Sequence, residues 1–366
     1  MGRAAIATKG IEEFHERPYT FESVEIRMFY EKLIDAYVHF KDSLSPEHEK
    51  NITAMILISI YVCAGESCMP VRKMLGGHPN FLADIKSVAG IGAALFPKHR
   101  DAAYFAEVFG EYVRQNTRCH VRPAVLKWNA RGGRWTESPG IYTWAFLTPT
   151  ILANHLIKKF YDGRDRMCNP YLAQLARWLI NYTTPPVEGK RRCLPIGAHS
   201  SLRVPYTILE LLGDSLKETF PDVAANIEYL TSREERHLEN FKNENDIWEF
   251  LYKPNKGEDK QPVLTSAKYT GCGLIFRQRV GAPDETAVFL QQVDDGPNYR
   301  WGLSAQGSCG ALYYYADGKA YTHSGKEDTG DRKSEDTAYM TNFGVWKDGM
   351  YKSVGRNELS EPMYDL

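Results

Sequence analysis

The sequence lacks the paired-cysteine patterns that mark a disulfide framework, a zinc knuckle or a redox dithiol. Its seven cysteines, an odd number, lie at positions 63, 68, 119, 168, 193, 272 and 309 without a CxxC pair. We therefore expect thiols rather than disulfides. The ten histidines include no HExxH or HxH pair, and the acidic cluster at 328–333 lacks the spacing of a known calcium loop. No metal ion or other cofactor is predicted.

Long apolar runs and an excess of basic charge are also missing. The longest apolar run, Ala54–Ala64, is too short to cross a bilayer, and the opening MGRAAIATKGIEEFHERP lacks the apolar stretch of a signal peptide. Forty-five basic and 46 acidic side chains give a net charge of -1. General nucleic-acid binders depend on a basic excess for phosphate contacts. Neither a membrane nor a nucleic acid is therefore a predicted partner.

The spacing of apolar residues is helical before residue 255. Apolar side chains recur at intervals of three and four, and breakers such as Gly132-Gly133 separate the segments. Helices are predicted at 29–44, at 46–60, from Pro97 to Val113, and at Trp144–Phe160, Pro170–Tyr182, Pro205–Leu216 and Asp222–Leu230. Short loops between such helices indicate a succession of antiparallel helix pairs.

After Pro262 the pattern changes to short segments rich in β-branched and aromatic residues. Strands are predicted at Leu274–Val280, Thr286–Gln292, Cys309–Ala316 and Ala338–Trp346, separated by turns such as Asp317-Gly318 and Asp348-Gly349. A chain of 366 residues is long enough for two cores. The predicted fold is multidomain α+β, with a helical domain over residues 1–255 and an antiparallel β-sheet domain over residues 256–366.

The segment 127–144 is the most unusual part of the sequence. Three glycines, a proline and three tryptophans predict a structured loop before a helix that starts near Tyr142. Sugars bind to surfaces on which tryptophan faces lie beside polar groups, and an arginine fork suits an acidic sugar. In the alternative interpretation the loop is simply well packed, with Trp135 and Trp144 in the core and Arg131 paired with Glu137.

Two further segments carry candidate functional side chains. His199 lies in a loop directly before a predicted helix, where backbone amides keep an imidazole neutral and able to accept a proton. A lone histidine is more often structural. The segment Asp294–Gly302 contains Tyr299 and Arg300 and precedes the aromatic run Tyr313–Tyr315, whose usual role is to form sheet.

The order of RGGRWTESPGIYTW, GAHSS and GLIFRQRVG resembles that of the heparinase II/III-like polysaccharide lyases, over roughly residues 100–345. The resemblance implies an incomplete toroid of paired α-helices followed by an antiparallel β-sandwich. It also implies cleavage of uronic-acid polymers by β-elimination, and a secreted or periplasmic protein. The best-matching motif comprises Trp135, Glu137, Gly140 and Tyr142, and a tyrosine beside this motif is the family's proton carrier.

The resemblance and the residue types together give a set of candidate site residues. The predicted catalytic residues are Tyr142, His199, Asn129 and Arg131, and the predicted substrate-binding residues are Trp135, Glu137, Arg134, Tyr299 and Arg300. In this scheme Asn129 and Arg131 hold the uronate carboxylate. The expected partner is an acidic polysaccharide, whereas the particular polymer and the oligomeric state are not determined by the sequence.

Two other functions remain open at this point. A glycoside hydrolase on the same helical scaffold needs two carboxylates that flank one bond, and Glu137 has no evident partner in sequence. A glycan-binding relative without catalysis is favoured by Tyr299-Arg300-Trp301, because the family often has a histidine in this region.

Overall fold

The structure is a computed structural model of the whole chain. It describes residues 36–37, 39–65, 79–122, 133–135, 137, 142–194, 204, 206–232, 264–269, 273–292, 309–322, 344–347 and 350–353. The chain divides into two compact units. The first comprises Met1–Asn116, Ala145–Arg166 and His237–Pro254, and the second comprises Thr117–Trp144, Met167–Arg236 and Asn255–Leu366. The predicted domain boundary at residue 255 lies outside the described residues and stays a prediction.

Four helices, α1 to α4, lie wholly or mainly in the first unit. They span Pro46–Ala64, Pro79–Leu95, Ala102–His120 and Tyr142–Phe160. Helix α1 begins where the sequence predicts, because the Ser45 hydroxyl accepts a hydrogen bond from the His48 amide and Pro46 occupies the first turn. Helix α3 begins five residues later than predicted, since residues after Pro97 form a turn in which the Ala102 amide bonds to the His99 carbonyl at 3.0 Å.

Helix α2 was not predicted from the sequence, because it has no polar face. Fifteen of its 17 residues are buried, so the period that marks a surface helix is absent. Its glycines permit close packing: a Cβ on Gly92 would come within 2.6 Å of the Ile60 side chain of α1. The buried Lys86 ammonium donates to the Cys63 and Gly65 carbonyls, at 2.9 Å each, and so satisfies the end of α1.

Three shorter helices belong to the second unit: α5 (Pro170–Asn181), α6 (Tyr206–Leu216) and α7 (Pro221–Ser232). The Asn169 side chain caps α5 by accepting from the Tyr171 and Leu172 amides. Helix α7 packs against both α5 and α6. A small hairpin of β1 (Val121–Arg122) and β2 (Arg134–Trp135) packs on α5 as well.

The strands of the second unit form an antiparallel sheet, as the sequence predicts. Five strands lie in the order β3-β4-β5-β6-β7, and a separate pair joins β8 to β9. Their bounds are Ala267–Tyr269, Gly273–Gln278, Thr286–Gln292, Cys309–Ala316, Lys319–Ala320, Gly344–Lys347 and Met350–Ser353. Asp317 and Gly318 both have positive φ, 50° and 69°, which is the turn geometry that the Asp-Gly dipeptide predicts between β6 and β7.

A buried ion cluster joins this sheet to the segment that follows α5. Glu285 accepts two hydrogen bonds from Arg191, at 3.0 and 2.5 Å, and one from Arg277 at 3.2 Å. The second Arg277 nitrogen donates to the carbonyls of Asn181 and Thr183, and its guanidinium lies 5.2 Å from the centre of the Phe289 ring. Burial and the nearby Arg191 charge lower the pKa of Arg277 to about 10, so it remains protonated at neutral pH.

The predicted combination of helices with an antiparallel sheet is confirmed. The finer expectations, a toroid and a sandwich, stay predictions that derive from the resemblance.

Candidate functional site

The hairpin β1–β2 fixes the start of the predicted loop. Val121 pairs with Trp135 and Arg122 with Arg134. Gly133, just before β2, has φ +112°, and a Cβ there would lie 2.5 Å from the Gln174 carbonyl oxygen of α5. Only glycine fits this position, because both the backbone angle and the close approach exclude a side chain.

A buried pair, Trp135 and Glu137, lies directly after Gly133 and Arg134. The indole Nε1–H of Trp135 donates to Glu137 Oε2 at 2.8 Å, and both side chains have no exposed surface. The His120 ring lies 5.8 Å from the Trp135 ring, tilted by 56°. A hydrogen bond to an ionised, buried carboxylate is among the stronger kinds in a protein. The described contacts of Trp135 and Glu137 therefore hold this segment in place.

Arg134 lies on the same hairpin and is 5% exposed. Its Nη1 lies 3.4 Å from the Trp135 carbonyl oxygen, at the long end of hydrogen bonding. The charge of Arg134 is thus held next to the Trp135–Glu137 pair rather than extended into solvent.

Tyr142 is the first residue of α4, and its side chain is half-buried. Two effects raise the pKa of its hydroxyl: burial first, and then the negative charge of Glu137. A tyrosine that removes a proton at neutral pH needs a nearby positive charge or a proton acceptor, whereas the described surroundings of Tyr142 raise its pKa. Tyr142 is consequently a neutral hydroxyl at neutral pH, suited to donate a proton rather than to remove one.

The structure thus brings together Arg134, Trp135, Glu137 and Tyr142 from the predicted set. The predicted residues Asn129, Arg131, His199, Tyr299 and Arg300 lie outside the described residues. Trp135 is a core residue, as the packed alternative predicts, whereas Trp144 is only partly buried. Contact of Trp135, Glu137 or Arg134 with a substrate stays a prediction, as do the catalytic roles.

Two neighbouring residues were not singled out from the sequence. His120 ends α3, its ring is tilted against that of Trp135, and no local pattern in the sequence indicated this contact. Cys193 lies in the same segment as Arg191, and burial raises the pKa of its thiol to about 12. A thiol with that pKa is not a nucleophile at neutral pH.

In the ranges that the structure describes, no three histidine, cysteine or acidic side chains gather as ligands for a metal ion. None of the helices in these ranges combines the length and apolar character that a membrane span needs.

The arrangement of helices and antiparallel sheet is a heparinase-like fold. A crystal structure of heparinase III has a TM-score of 0.53 and 12% identity, over 87% of this chain and 48% of that chain. A second heparinase III gene product has a TM-score of 0.51 and 14% identity, over 84% of this chain and 41% of that one. The chain therefore spans about half the length of these structures, and the predicted resemblance is confirmed for the fold.

No family model matches the sequence, and no curated protein matches it either. The likeness to the two heparinase III structures, at 12% and 14% identity, concerns the fold alone.

Proposed function

We propose that this chain is a polysaccharide lyase that cleaves a uronic-acid polymer by β-elimination. The heparinase-like fold supports the class, and the neutral Tyr142 hydroxyl beside buried Glu137 is the observation that carries the chemistry. The same proposal includes an acidic polysaccharide as substrate and a secreted or periplasmic location.

The reaction requires one proton acceptor and one proton donor. A base takes the proton from C5 of the uronate, the electron pair of that C–H bond forms the C4=C5 double bond, and the C4–O4 bond breaks. The departing O4 then takes a proton from an acid. Donors around the uronate carboxylate stabilise the charge that builds up as the C5 proton leaves.

Tyr142 fits the role of the acid in this scheme. Its raised pKa keeps the proton on the hydroxyl across neutral pH, and after transfer to O4 the phenolate regains a proton from the base that took the C5 proton, so both groups return to their starting states. We assign the base to His199 and the carboxylate contacts to Asn129 and Arg131, which are the residues that the sequence predicts for these tasks.

The hydrolase alternative receives less support. It needs two carboxylates placed on either side of the scissile bond. Glu137 is fully buried and accepts the Trp135 indole hydrogen, so its described position is that of a structural group. The glycan-binding alternative differs from the lyase only in turnover, and the following experiment separates the two.

The test is Tyr142→Phe, which removes one hydroxyl with little change in packing. Turnover should fall about a hundredfold or more, the usual scale for a lost acid–base group, with polymer affinity retained. Turnover is followed by the ultraviolet absorbance of the new double bond, which a hydrolase does not produce. Tyr161→Phe is the matched control, because it removes a hydroxyl just after the other end of α4.

Undiminished activity of Tyr142→Phe on the best uronate polymer would rule out this assignment, and Tyr299 or a strand tyrosine would become the next candidate. Binding of the wild-type chain to uronate polymers without any absorbance change would favour the glycan-binding alternative.

A further inference from the structure

The five-stranded sheet of the second unit has one buried face and one outward face. Cross-strand partners share a face, so the rows of the sheet can be read from its register. The buried row runs from Ile275 through Phe289 to Tyr313, and each of these side chains is 1% exposed. The next row, on the outward face, runs from Phe276 through Val288 to Tyr314.

The outward row carries large aromatic rings that are open to solvent. Phe276 is 57% exposed and Tyr314 is 37% exposed, and Tyr321 beside β7 is 55% exposed. The rings of Tyr314 and Tyr321 lie 5.2 Å apart at an angle of only 31°, and the Tyr321 amide donates to the Tyr314 carbonyl at 2.8 Å. These two rings form one continuous aromatic surface that the backbone holds in place.

Phe276 extends this surface across the sheet. It lies two strands away from Tyr314, or about 10 Å at the usual spacing of strands. Val288 fills the position between them and is only partly buried. Phe276, Val288, Tyr314 and Tyr321 are called the outer aromatic row below. A contiguous exposed apolar surface can mark an interaction site or a ligand-binding surface.

The charged side chains at the outward positions of the described strands β3 to β7 are two lysines. Lys268 pairs with Leu274 on the β3 edge, and Lys319 pairs with Ala316 on the β7 edge, so both belong to the outward face. Neither ammonium has an ion-pair partner in the part of the chain that the structure describes. On the outward positions of the described strands β3 to β7 there is no aspartate or glutamate. Asp317 lies nearby, but it occupies the β6–β7 turn.

We infer that the outer aromatic row is a second binding site for an acidic polysaccharide, separate from the residues around Tyr142. Pyranose rings present apolar C–H faces, which suit the exposed rings of Phe276, Tyr314 and Tyr321. The carboxylates of the same polymer suit the lysines at the two edges. This inference rests on the proposed function for the identity of the ligand, and it adds a place where a long polymer is held.

The test compares polymer binding by the full-length wild-type chain and by variants of the outer aromatic row. Dissociation constants for alginate and glucuronan are measured by calorimetry, with neutral dextran as the reference polymer. The double variant Phe276→Ala/Tyr314→Ala should weaken binding to the acidic polymers at least fivefold. Phe160→Ala is the matched control, because Phe160 is a similarly exposed ring (43%) that lies in the first unit.

The contribution of charge is tested by Lys268→Gln/Lys319→Gln, which should weaken binding to alginate and glucuronan. The affinity of this variant should also depend less on salt concentration, because salt screens exposed ion pairs. Circular dichroism and thermal unfolding of each variant check that the fold is intact. If the aromatic variant fails to fold, the single substitution Tyr321→Ala takes its place, since Tyr321 lies just beyond the short edge strand β7.

Several outcomes would overturn the inference. One is an unchanged affinity of the folded aromatic variants. Another is a wild-type dimer that these substitutions dissociate, which would make the row an interface between two copies. A third is resistance of the Tyr314 and Tyr321 rings to chemical nitration in the wild-type chain without polymer, which would mean that another part of the chain covers the row.

Failure of this inference and failure of the proposed function give different results. If the substitutions in the outer aromatic row weaken polymer binding but no double-bond product forms, the lyase proposal is excluded and the second binding site is supported. If the double-bond product forms and the substitutions in the outer aromatic row do not change polymer binding, the second binding site is excluded and the lyase proposal is supported.

Discussion

At the scale of single residues, the segment before α4 shows how burial changes the role of a side chain. The composition of this segment suggested a surface on which a sugar could stack, but Trp135 lies in the core and donates to Glu137. The buried carboxylate then acts at a distance, because its negative charge helps to raise the pKa of Tyr142. Glu137 thus contributes to the protonation of Tyr142, and its contact with a substrate stays a prediction.

This electrostatic link predicts a pH effect. If neutral Tyr142 is the acid, activity is lost as pH rises through the Tyr142 pKa, which lies above its ordinary value. Glu137→Gln keeps an acceptor for the Trp135 indole and removes the charge, so the Tyr142 pKa should fall. The alkaline limb of the kcat/KM profile should therefore move to lower pH.

The control for this profile is Glu188→Gln, which neutralises a carboxylate that is 83% exposed. It should leave the alkaline limb in place. An alkaline limb that stays unchanged, or moves to higher pH, in Glu137→Gln would contradict the link between Glu137 and Tyr142.

At the scale of elements, the buried Arg191–Glu285–Arg277 cluster determines how the sheet is attached within the second unit. Glu285 receives hydrogen bonds from both arginines and from the Gly281 amide at 2.8 Å. Removal of one partner from such a cluster leaves buried charge without compensation, which typically costs about 3–5 kcal/mol. The neighbouring pair of Asp284 with Arg279 is exposed, and exposed pairs contribute about 0–1 kcal/mol.

Two adjacent substitutions therefore form a matched stability test. Glu285→Ala should lower the free energy of unfolding by about 3–5 kcal/mol, and Asp284→Ala by about 1 kcal/mol or less, as measured by urea titration. If Glu285→Ala does not fold, Glu285→Gln keeps the shape of the side chain and should still lose more than Asp284→Ala. Equal losses for the two positions would show that the cluster does not anchor the sheet.

At the scale of the whole molecule, the sheet and helices α5 to α7 belong to one compact unit. A division of the chain at residue 255, where the periodicity changes, would separate the sheet from these helices. Arg277 would then lose its hydrogen bonds to the Asn181 and Thr183 carbonyls. Tyr269 would lose its hydrogen bond with Asn181, which is 2.7 Å long. Periodicity reports where helices give way to strands, whereas a folding unit depends on which of these elements share a core.

We expect residues 256–366, expressed alone, to lack a cooperative thermal transition. The buried guanidinium of Arg277 and the carboxylate of Glu285 would both be left without partners from the helical side. Circular dichroism melting of this fragment and of the full chain makes the comparison, and only the full chain should melt cooperatively. Cooperative melting of residues 256–366 would instead support an independent β domain.

Local patterns in the sequence determined much of the fold. Strands β5 and β6 have the bounds that β-branched and aromatic residues predict, and the Asp317-Gly318 turn has the expected positive φ angles. The cap at Ser45 and the start of α4 near Tyr142 were equally predictable. Each of these features depends on neighbours within a few residues along the chain, which is why the sequence by itself carries them.

Other features were decided only by the tertiary structure. The sequence of helix α2 lacks the alternation of apolar and polar residues that marks a surface helix, because neighbouring residues surround the helix. Position 133 requires glycine because the Gln174 carbonyl, 41 positions further along the chain, leaves no room for a side chain. The burial of Trp135, the pKa of Tyr142 and the Arg191–Glu285 contact likewise arise from residues that folding brings together. Desolvation and charge proximity depend on distances in space, and no local sequence pattern records those distances.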